Sequence, residues 1–510
     1  MNSSNMELKL FFVVWMVSTA EQAEVIIAQG RIRGEMHQGY VSYNGIPYAS
    51  GNDTTGRFKQ AGIPPTWSGM RESQQPRCGL TSRVNDCLQL DVHVPTSGAS
   101  WPVLVWVKGG GGRYSPGKLV QQGIVVVVVS HRIGPLGFLC LGEEKMPGNV
   151  GVKDVVMALR WVRDNIPAFR GNPYKVVVAG QGFGAAMVEA LLLSPMTGDL
   201  FHGAIMQSGS VLCPWAFNHD AKDRGLSLLQ MLIENDETMT LLNAGAEELA
   251  VNADKINFPY LPFGICIEKG FKNEERMLPE SPYRLLSNKL ARKVPLIMGY
   301  NTDEAYIFLS ALRENNIRKK MARDLSVLLP EELKFLNVNE LKTVAKQIKE
   351  LYFKNNSTMA ALLAYHRDAY FLAHIHRSAR LHAASDLPVY YYQFSYAGQP
   401  GVVADHQLRK AGAAHSDELA YLFPETTSSM EGTDGTVQDN ILRLWTNFVK
   451  HLNPTPSEAS PRWDPLDSAE PRVLDIGAEL TMQPFPYTRA CRMWDDIYER
   501  FYYSRNYLGL

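Results

Sequence analysis

The chain has 510 residues, of which 45% are hydrophobic, and its 51 Lys and Arg residues nearly balance its 52 Asp and Glu residues. This length and apolar content are enough to bury a large core, and large α/β enzymes often fold such a chain as one domain. The formal net charge of −1 provides no field that attracts a phosphate backbone, so the composition argues against nucleic-acid binding.

The six cysteines are too few for a disulfide scaffold and include no C-x-x-C pair. They are Cys78, Cys87, Cys140, Cys213, Cys266 and Cys491. Because such a pair is the usual mark of a structural zinc site or a thiol redox centre, we expect neither a metal nor a cofactor.

The first predicted element is a secretory signal peptide at residues 1–23. Lys9 precedes an apolar run at 10–17 that is too short to span a membrane, and small residues follow it. A buried N-terminal segment is the alternative interpretation.

Other features of the chain agree with export. Sequons for N-glycosylation occur at Asn52, Asn355 and Asn356. No later stretch reaches about 18 uninterrupted apolar residues, so we expect a secreted, extracellular protein without a stable membrane anchor. An oxidising compartment permits a bridge between Cys78 and Cys87, whereas Cys140, inside an apolar run, is expected to be a buried free thiol.

Strands and helices alternate in the first half of the chain. The pattern predicts strands at 102–107, 124–129, 175–179 and 203–206 and helices at 152–166 and 185–193. The unbroken valine run at 125–129 indicates a strand that is buried on both faces. This alternation predicts an open, mostly parallel sheet with helices on both faces.

The second half continues the same pattern with helical insertions. Further strands are predicted at 294–298 and 389–394 and a helix at 437–452, while 216–290 and 310–385 are polar and helical. No internal repeat or low-complexity linker divides the chain. We therefore expect residues 24–510 to form a single domain.

A glycine-rich turn after the strand at 175–179 resembles a nucleophile elbow. The turn reads Gly180-Gln181-Gly182-Phe183-Gly184, whereas an elbow has a serine or another nucleophile at its middle position. By itself, a glycine-rich turn between a strand and a helix is equally compatible with a phosphate-binding loop.

Three later features favour the elbow. The glycine run 109–112 follows a strand, where its N–H groups can form an oxyanion hole. Glu304 follows the strand at 294–298, and His415 lies farther along the chain. Elbow, acid and histidine in this order are typical of α/β-hydrolases.

The chain resembles the type-B carboxylesterase and cholinesterase family over nearly its whole length. Matching blocks occur in the family's order at 45–49, 56–58, 85–90, 132–138, 147–151, 161–166, 201–210 and 445–448. The resemblance implies an α/β-hydrolase fold with helical insertions over the site. The chain has Gln181 where most members have Glu, and at this position it resembles the juvenile hormone esterase branch.

The resemblance also implies roles for individual positions. Gly182 stands at the nucleophile's position, Glu304 at the acid's and His415 at the base's. The implied oxyanion hole consists of Gly110, Gly111 and the N–H of Phe183. The implied disulfide of the N-terminal part joins Cys78 and Cys87, although the intervening loop is shorter than usual.

Four departures from the family concern the site itself. Gly182 replaces the serine, Phe183 replaces a small residue, Lys108 replaces a histidine and Gly112 replaces an aromatic residue. Because glycine has no atom that a histidine can deprotonate, covalent turnover is expected to be absent. Lys108 either binds an anion or, as is usual for a lysine at a strand end, extends its side chain into solvent.

The sequence leaves two classes of function open. In the first, the protein is an inactive or severely impaired esterase that binds a hydrophobic small molecule or an ester, or else a protein partner, as neuroligin-like adhesion members do. Those members are commonly anchored in a membrane, so the sequence favours the small ligand. Glu304 and His415 are then a structural ion pair or a polar anchor in the ligand gorge.

The second class is a weak ester hydrolase in which His415 activates water directly. An intact oxyanion hole and base leave a residual acceleration of roughly 10³ to 10⁴ over water. The ring of Phe183 argues against even this activity, because it would narrow the hole. Ser208 and Ser210 are the alternative nucleophiles, and their ordinary roles are packing and hydrogen bonding at a strand end.

Overall fold

The computed structural model describes residues 23–504 except 52–55, 76–77, 110–113, 257–260, 273, 315–316, 355–357, 386, 400–411, 426–429, 458–460 and 468. The signal peptide expected at 1–23 lies outside the described residues except for its last position. The sequons at Asn52, Asn355 and Asn356 lie outside them as well, so all of these remain predictions.

The strands of the described chain alternate with helices. In chain order they are β1 Glu24–Ile27, β2 Gly30–Arg33, β3 Glu35–His37, β4 Tyr40–Pro47, β5 Met70–Glu72, β6 Gln89–Pro95, β7 Trp101–Val107, β8 Val125–Val129, β9 Gly171–Gln181, β10 Gly203–Gln207, β11 Leu296–Asn301, β12 Val389–Phe394, β13 Arg472–Ile476 and β14 Leu480–Pro484.

Eleven of these strands form one sheet, in the order β14-β13-β12-β11-β10-β9-β7-β8-β6-β4-β3. The neighbours from β13 to β8 pair in parallel, and the strands at both edges pair antiparallel. Strands β1, β2 and β5 form a separate small sheet. The mostly parallel central sheet predicted from the sequence is confirmed.

Helices cover both faces of this sheet. They are α1 Val84–Cys87, α2 Gly117–Gln121, α3 Gly134–Phe138, α4 Val150–Asn165, α5 Phe183–Leu193, α6 Ala221–Asn235, α7 Ala246–Ala253, α8 Pro282–Ser287, α9 Leu309–Glu314, α10 Ile317–Arg323, α11 Val338–Tyr352, α12 Met359–Arg367, α13 Ala373–Ala383, α14 Leu419–Leu422, α15 Gly432–His451 and α16 Arg489–Tyr498. Helices α4, α5 and α13 pack on one face, and α2 and α15 pack on the other.

Strand β8 shows why the valine run forms the centre of the sheet. Val125, Val127 and Val129 belong to the core on one face, whereas Val126 and Val128 belong to the core on the other. A strand covered on both faces has no polar side, so its sequence is continuously apolar.

Two strands have boundaries that differ from the prediction by more than one residue, for identifiable reasons. The strand predicted at 175–179 extends over Gly171–Gln181, because Gly171 also pairs with Trp101 of β7. The strand predicted at 294–298 is Leu296–Asn301. Pro295 has no N–H to donate to a sheet, so the strand begins after it.

The structure contains two disulfides among the described residues. Cys78 pairs with Cys87, as the family resemblance implies. Cys140 pairs with Cys266, so the prediction of a free thiol at Cys140 was wrong. The partners of the second bridge are 126 residues apart in sequence, and only the packing of two loops brings them together.

Candidate active site

Gly182 lies at the sharp turn between β9 and α5. Its backbone angles are φ 57° and ψ −121°, and α5 begins at the next residue. A Cβ built on Gly180 would lie 2.4 Å from the carbonyl carbon of Gly184, so nothing larger than glycine fits at that position. The turn therefore has the tight geometry that lifts a side chain above the sheet, but Gly182 has no side chain there.

The empty position at Gly182 faces a histidine. A Cβ built on Gly182 would lie 3.0 Å from Nε2 and 3.4 Å from Cε1 of His415. These are the two atoms that it would meet within 4 Å. The structure thus brings the predicted nucleophile position and the predicted base together.

The predicted acid and base form a hydrogen bond. Nδ1 of His415 lies 2.5 Å from Oε2 of Glu304, and the other carboxylate oxygen of Glu304 accepts a bond of 2.7 Å from the N–H of Asn301. The loops that carry Glu304 and His415 are joined by a β-bridge between Asp303 and Ala414. Because Glu304 is fully buried, this hydrogen bond fixes the orientation of the imidazole.

The charge of the Glu304 carboxylate shifts the pKa of its neighbours. Burial lowers the pKa of His415, but the charge of Glu304, its hydrogen bond and the charges of Glu418 and Asp417 together outweigh burial, so this pKa lies above its ordinary value. Burial and repulsion by Glu304 raise the pKa of Glu418 to about 7. Gln207 and Asn301 donate hydrogen bonds to Glu418 at 3.0 and 2.6 Å.

Gln181 occupies the side of His415 that a catalytic serine would need. Its side-chain nitrogen lies 3.0 Å from Nε2 of His415. When the imidazole proton is on Nδ1 and points to Glu304, Nε2 accepts this hydrogen bond from the Gln181 amide. The lone pair with which His415 would take a proton is therefore already occupied. This contact could not be predicted from the sequence, because the two residues are 234 positions apart.

The predicted oxyanion hole is described only in part, since Gly110 and Gly111 lie outside the described residues. Phe183 is the first residue of α5, where a backbone N–H has no partner within the helix. Its ring packs edge-on against Phe138, with the ring centres 4.9 Å apart, and stays partly exposed. The side chain of Phe183 is thus directed to α3.

Lys108 is half-buried, which differs from the solvated stem that is usual at a strand end. Its Nζ donates a hydrogen bond of 3.2 Å to Oγ of Ser130. Burial lowers the pKa of the Lys108 ammonium, and the nearby Asp91 carboxylate opposes this effect.

The two alternative serines have other surroundings. Oγ of Ser210 donates to Glu189 at 2.5 Å, and Ser208 is fully buried without a hydrogen-bond partner for its hydroxyl in the described part of the chain. The ring nitrogens of His415 bond to Glu304 and Gln181 instead. Neither hydroxyl is therefore placed for deprotonation by His415.

Glu189 is a structural residue that the sequence analysis missed. It is fully buried in the apolar helix α5, and its carboxylate accepts hydrogen bonds from Ser210, from the N–H of Val211, from Ser378 and from Nε2 of His382. A single glutamate within the apolar run 185–193 was the available signal. These bonds hold the loop after β10 against α5 and α13.

Comparison of the chain with known proteins identifies its family. Residues 21–494 match the sequence model described as "Carboxylesterase family". The chain belongs to the carboxylesterase family. Within the described residues, no helix is long and apolar enough to cross a membrane.

Individual members of the carboxylesterase family are similar along most of their length. Pyrethroid hydrolase Ces2e of Rattus norvegicus is 30% identical over 504 residues, which cover 88% of this chain and 85% of that protein. Esterase FE4 of Myzus persicae is 29% identical over 545 residues, which cover 94% of each chain.

A solved structure of the carboxylesterase family has the same fold. Juvenile hormone esterase from Manduca sexta, with OTFP covalently attached, superposes with a TM-score of 0.82 and 25% identity. The match covers 94% of this chain and 99% of that chain. The fold and the family expected from the sequence are confirmed, whereas the roles of Gly182, Glu304 and His415 remain predictions.

Proposed function

We propose that this member of the carboxylesterase family is a secreted, catalytically inactive protein that binds a hydrophobic small molecule or an ester. One observation carries the proposal. The tight turn at Gly182 and the hydrogen bond between Glu304 and His415 agree with the elbow, acid and base of an esterase site, but Gly182 presents no atom that can attack a carbonyl carbon.

The hydrogen bond between Gln181 and His415 supports inactivity independently of Gly182. Direct attack by water would require Nε2 of His415 to accept a proton from that water. Because Nε2 is 3.0 Å from the Gln181 amide, the water would have to displace this contact. This is the reason for preferring a binding protein to a weak hydrolase.

The ligand class comes from the relatives. They include a pyrethroid hydrolase, an acylcarnitine hydrolase and a juvenile hormone esterase. An ester with a large apolar part is therefore the ligand that we propose. The two disulfides agree with secretion, because such bonds persist in oxidising compartments. A protein partner is the alternative occupant.

Retention of an intact ester tests the proposal. Purified protein is incubated with a long-chain aryl ester and separated from free ester, and mass spectrometry identifies what remains bound. We expect intact ester in a stoichiometric amount, both for the unmodified protein and for His415→Ala. If the unmodified protein releases the phenol faster than His415→Ala, it is a hydrolase. If no ester is retained, the proposed ligand class is wrong.

Covalent labelling tests the cause of inactivity. We expect a fluorophosphonate to leave the unmodified protein unlabelled and to label Gly182→Ser, because Glu304 and His415 are already paired. The double variant Gly182→Ser/His415→Ala serves as the control and is expected to stay unlabelled. Labelling of the unmodified protein in its cleft would refute the proposal. A Gly182→Ser variant that stays unlabelled would show that Gln181 still occupies Nε2 of His415, or that Phe183 or Lys108 has disabled the oxyanion hole.

A further inference from the structure

A cavity lies against the antiparallel strands on one side of the large sheet. Its volume is about 770 Å³, within the range of small-molecule sites. It is bordered by β3, β4, β6 and the segment 114–116. Gly182, Glu304 and His415 are not among its described lining residues.

The floor of this edge cavity consists of buried polar side chains. Ser42, Asn44, Asp91 and His93 line it, and each is at most 6% exposed. Ser42 and His93 satisfy one another through a hydrogen bond of 2.8 Å. Burial lowers the pKa of His93 to about 3, so its ring is neutral.

Asp91 and Asn44 present oxygen acceptors at this floor. Oδ1 of Asp91 accepts a hydrogen bond of 2.8 Å from the N–H of Gly45. Oδ1 of Asn44 is buried and has no hydrogen-bond partner in the described chain. Since buried polar groups in native proteins are normally bonded, the Asn44 oxygen indicates that a donor group belongs at this floor.

Lys108 brings the opposite charge to the same cavity. It lines the cavity, and its Nζ donates a hydrogen bond to Ser130. Lys108 and Asp91 influence one another electrostatically, yet they form no direct ion pair within the described residues. A half-buried ammonium and a buried carboxylate that are not paired with each other can both be stabilised by one ligand that carries both charges.

Aromatic rings form part of the walls. Tyr40 and Tyr114 line the cavity, and Tyr40 stacks on His37 with ring centres 4.6 Å apart. The ring of Tyr114 packs against the rings of Trp106 and Phe423, with ring centres 5.8 and 5.2 Å apart, respectively. Such walls favour a flat, aromatic ligand part.

We propose that the edge cavity binds an aromatic α-amino acid or a closely similar zwitterion. The ammonium group of the ligand donates to Asp91, its carboxylate accepts from Lys108, and its ring lies beside Tyr40 and Tyr114. A ligand with only one of the two charges leaves either Asp91 or Lys108 without a partner. The cavity thus distinguishes the amino acid from an amine or an acid of the same shape.

A series of three probes tests the proposal on the unmodified protein by isothermal titration calorimetry. The probes are L-phenylalanine, phenethylamine, which lacks the carboxylate, and 3-phenylpropanoate, which lacks the ammonium. We expect L-phenylalanine to bind at least about 10-fold more tightly than either analogue, since each charge-assisted hydrogen bond contributes this much. If phenethylamine binds as tightly as L-phenylalanine, Lys108 has no role in binding the ligand. If 3-phenylpropanoate binds as tightly as L-phenylalanine, Asp91 has no such role. Absence of L-phenylalanine binding at millimolar concentration would overturn the proposal.

Variants then locate the site. We expect Asp91→Asn and Lys108→Met each to weaken L-phenylalanine binding by about 10-fold or more. The matched control is Glu35→Gln, which removes a carboxylate from the exposed mouth of the cavity rather than from its floor. Near-ultraviolet circular dichroism shows whether each variant is folded. Undiminished binding by a folded Asp91→Asn would place the amino acid elsewhere and refute this site.

Discussion

Gly182 has a backbone conformation that suits a glycine and strains any other residue. With φ 57° and ψ −121° it lies outside the regions that side chains normally permit. Active members of the family carry a serine in this turn, and the strain of such a residue is part of the elbow. A glycine at this position therefore avoids the local strain that a serine would carry.

The residue scale gives a stability prediction for Gly182→Ser. We expect the free energy of unfolding to fall by about 1–3 kcal/mol, because the new side chain is strained and its Cβ meets Nε2 of His415 at 3.0 Å. Urea denaturation measures the change. The matched control is Gly432→Ala, since Gly432 has φ +59° and a Cβ there meets nothing within 4 Å. A loss no larger than that of the control would mean that His415 moves aside freely.

A second prediction at the residue scale concerns Gln181, and the pKa of His415 is the quantity that tests it. Replacing Gln181 by Glu puts a carboxylate beside Nε2, and an opposite charge at this distance favours the protonated imidazole. We expect Gln181→Glu to raise the pKa of His415 by about one unit or more in an NMR titration. Gln181→Leu is the control without the charge. An unchanged pKa in Gln181→Glu would show that the two side chains do not touch in solution.

At the scale of elements, the two disulfides close loops of very different size. The bridge between Cys140 and Cys266 joins the segment after α3 to a loop between α7 and α8, across 126 residues. The bridge between Cys78 and Cys87 spans only 9 residues next to α1. A longer closed loop removes more conformational freedom from the unfolded chain.

This difference predicts unequal effects of removing the bridges. We expect Cys140→Ser/Cys266→Ser to lower the free energy of unfolding by about 2–5 kcal/mol. We expect a smaller loss for Cys78→Ser/Cys87→Ser, which serves as the matched pair. Denaturant titrations of the oxidised proteins measure both. Equal losses would mean that native packing, rather than loop length, determines the contribution of each bridge.

The whole molecule concentrates buried charge at one edge of the parallel sheet. The loops after β9 and β11 and the loop before α14 carry Gly182, Glu304 and His415 to the same place. Parallel strands make this possible, because the carboxyl ends of all parallel strands lie on the same side of the sheet. Asn301 joins Glu418 to this buried cluster, because its backbone N–H donates to Glu304 and its side-chain amide donates to Glu418.

Global stability should therefore respond to pH through Glu418. Its pKa is raised to about 7 in the folded protein from an ordinary value of 4.5, so the folded state holds a proton that the unfolded chain releases. The stability from Glu418 is complete below pH 4.5 and is lost as the pH rises through 7. We expect Glu418→Gln to gain stability relative to the unmodified protein over this window, by at most about 1.4 kcal/mol per pH unit. A parallel pH profile for the two proteins would show that Glu418 is ionised throughout.

The sequence by itself determined the fold class, and it predicted the loss of the nucleophile. Alternating apolar runs and helical periodicity are local properties, and the order of elbow, acid and histidine can be read along the chain. The valine run of β8 and the glycine at position 182 needed no tertiary information to be interpreted.

Only the tertiary structure decided which distant side chains touch. The contact of Gln181 with His415 spans 234 residues, and the bridge of Cys140 spans 126. The cavity shared by Asp91 and Lys108 exists because β6 and the end of β7 lie near one another in the sheet, although β8 separates them. Such contacts depend on how whole elements pack, and no local pattern of residue types encodes that packing.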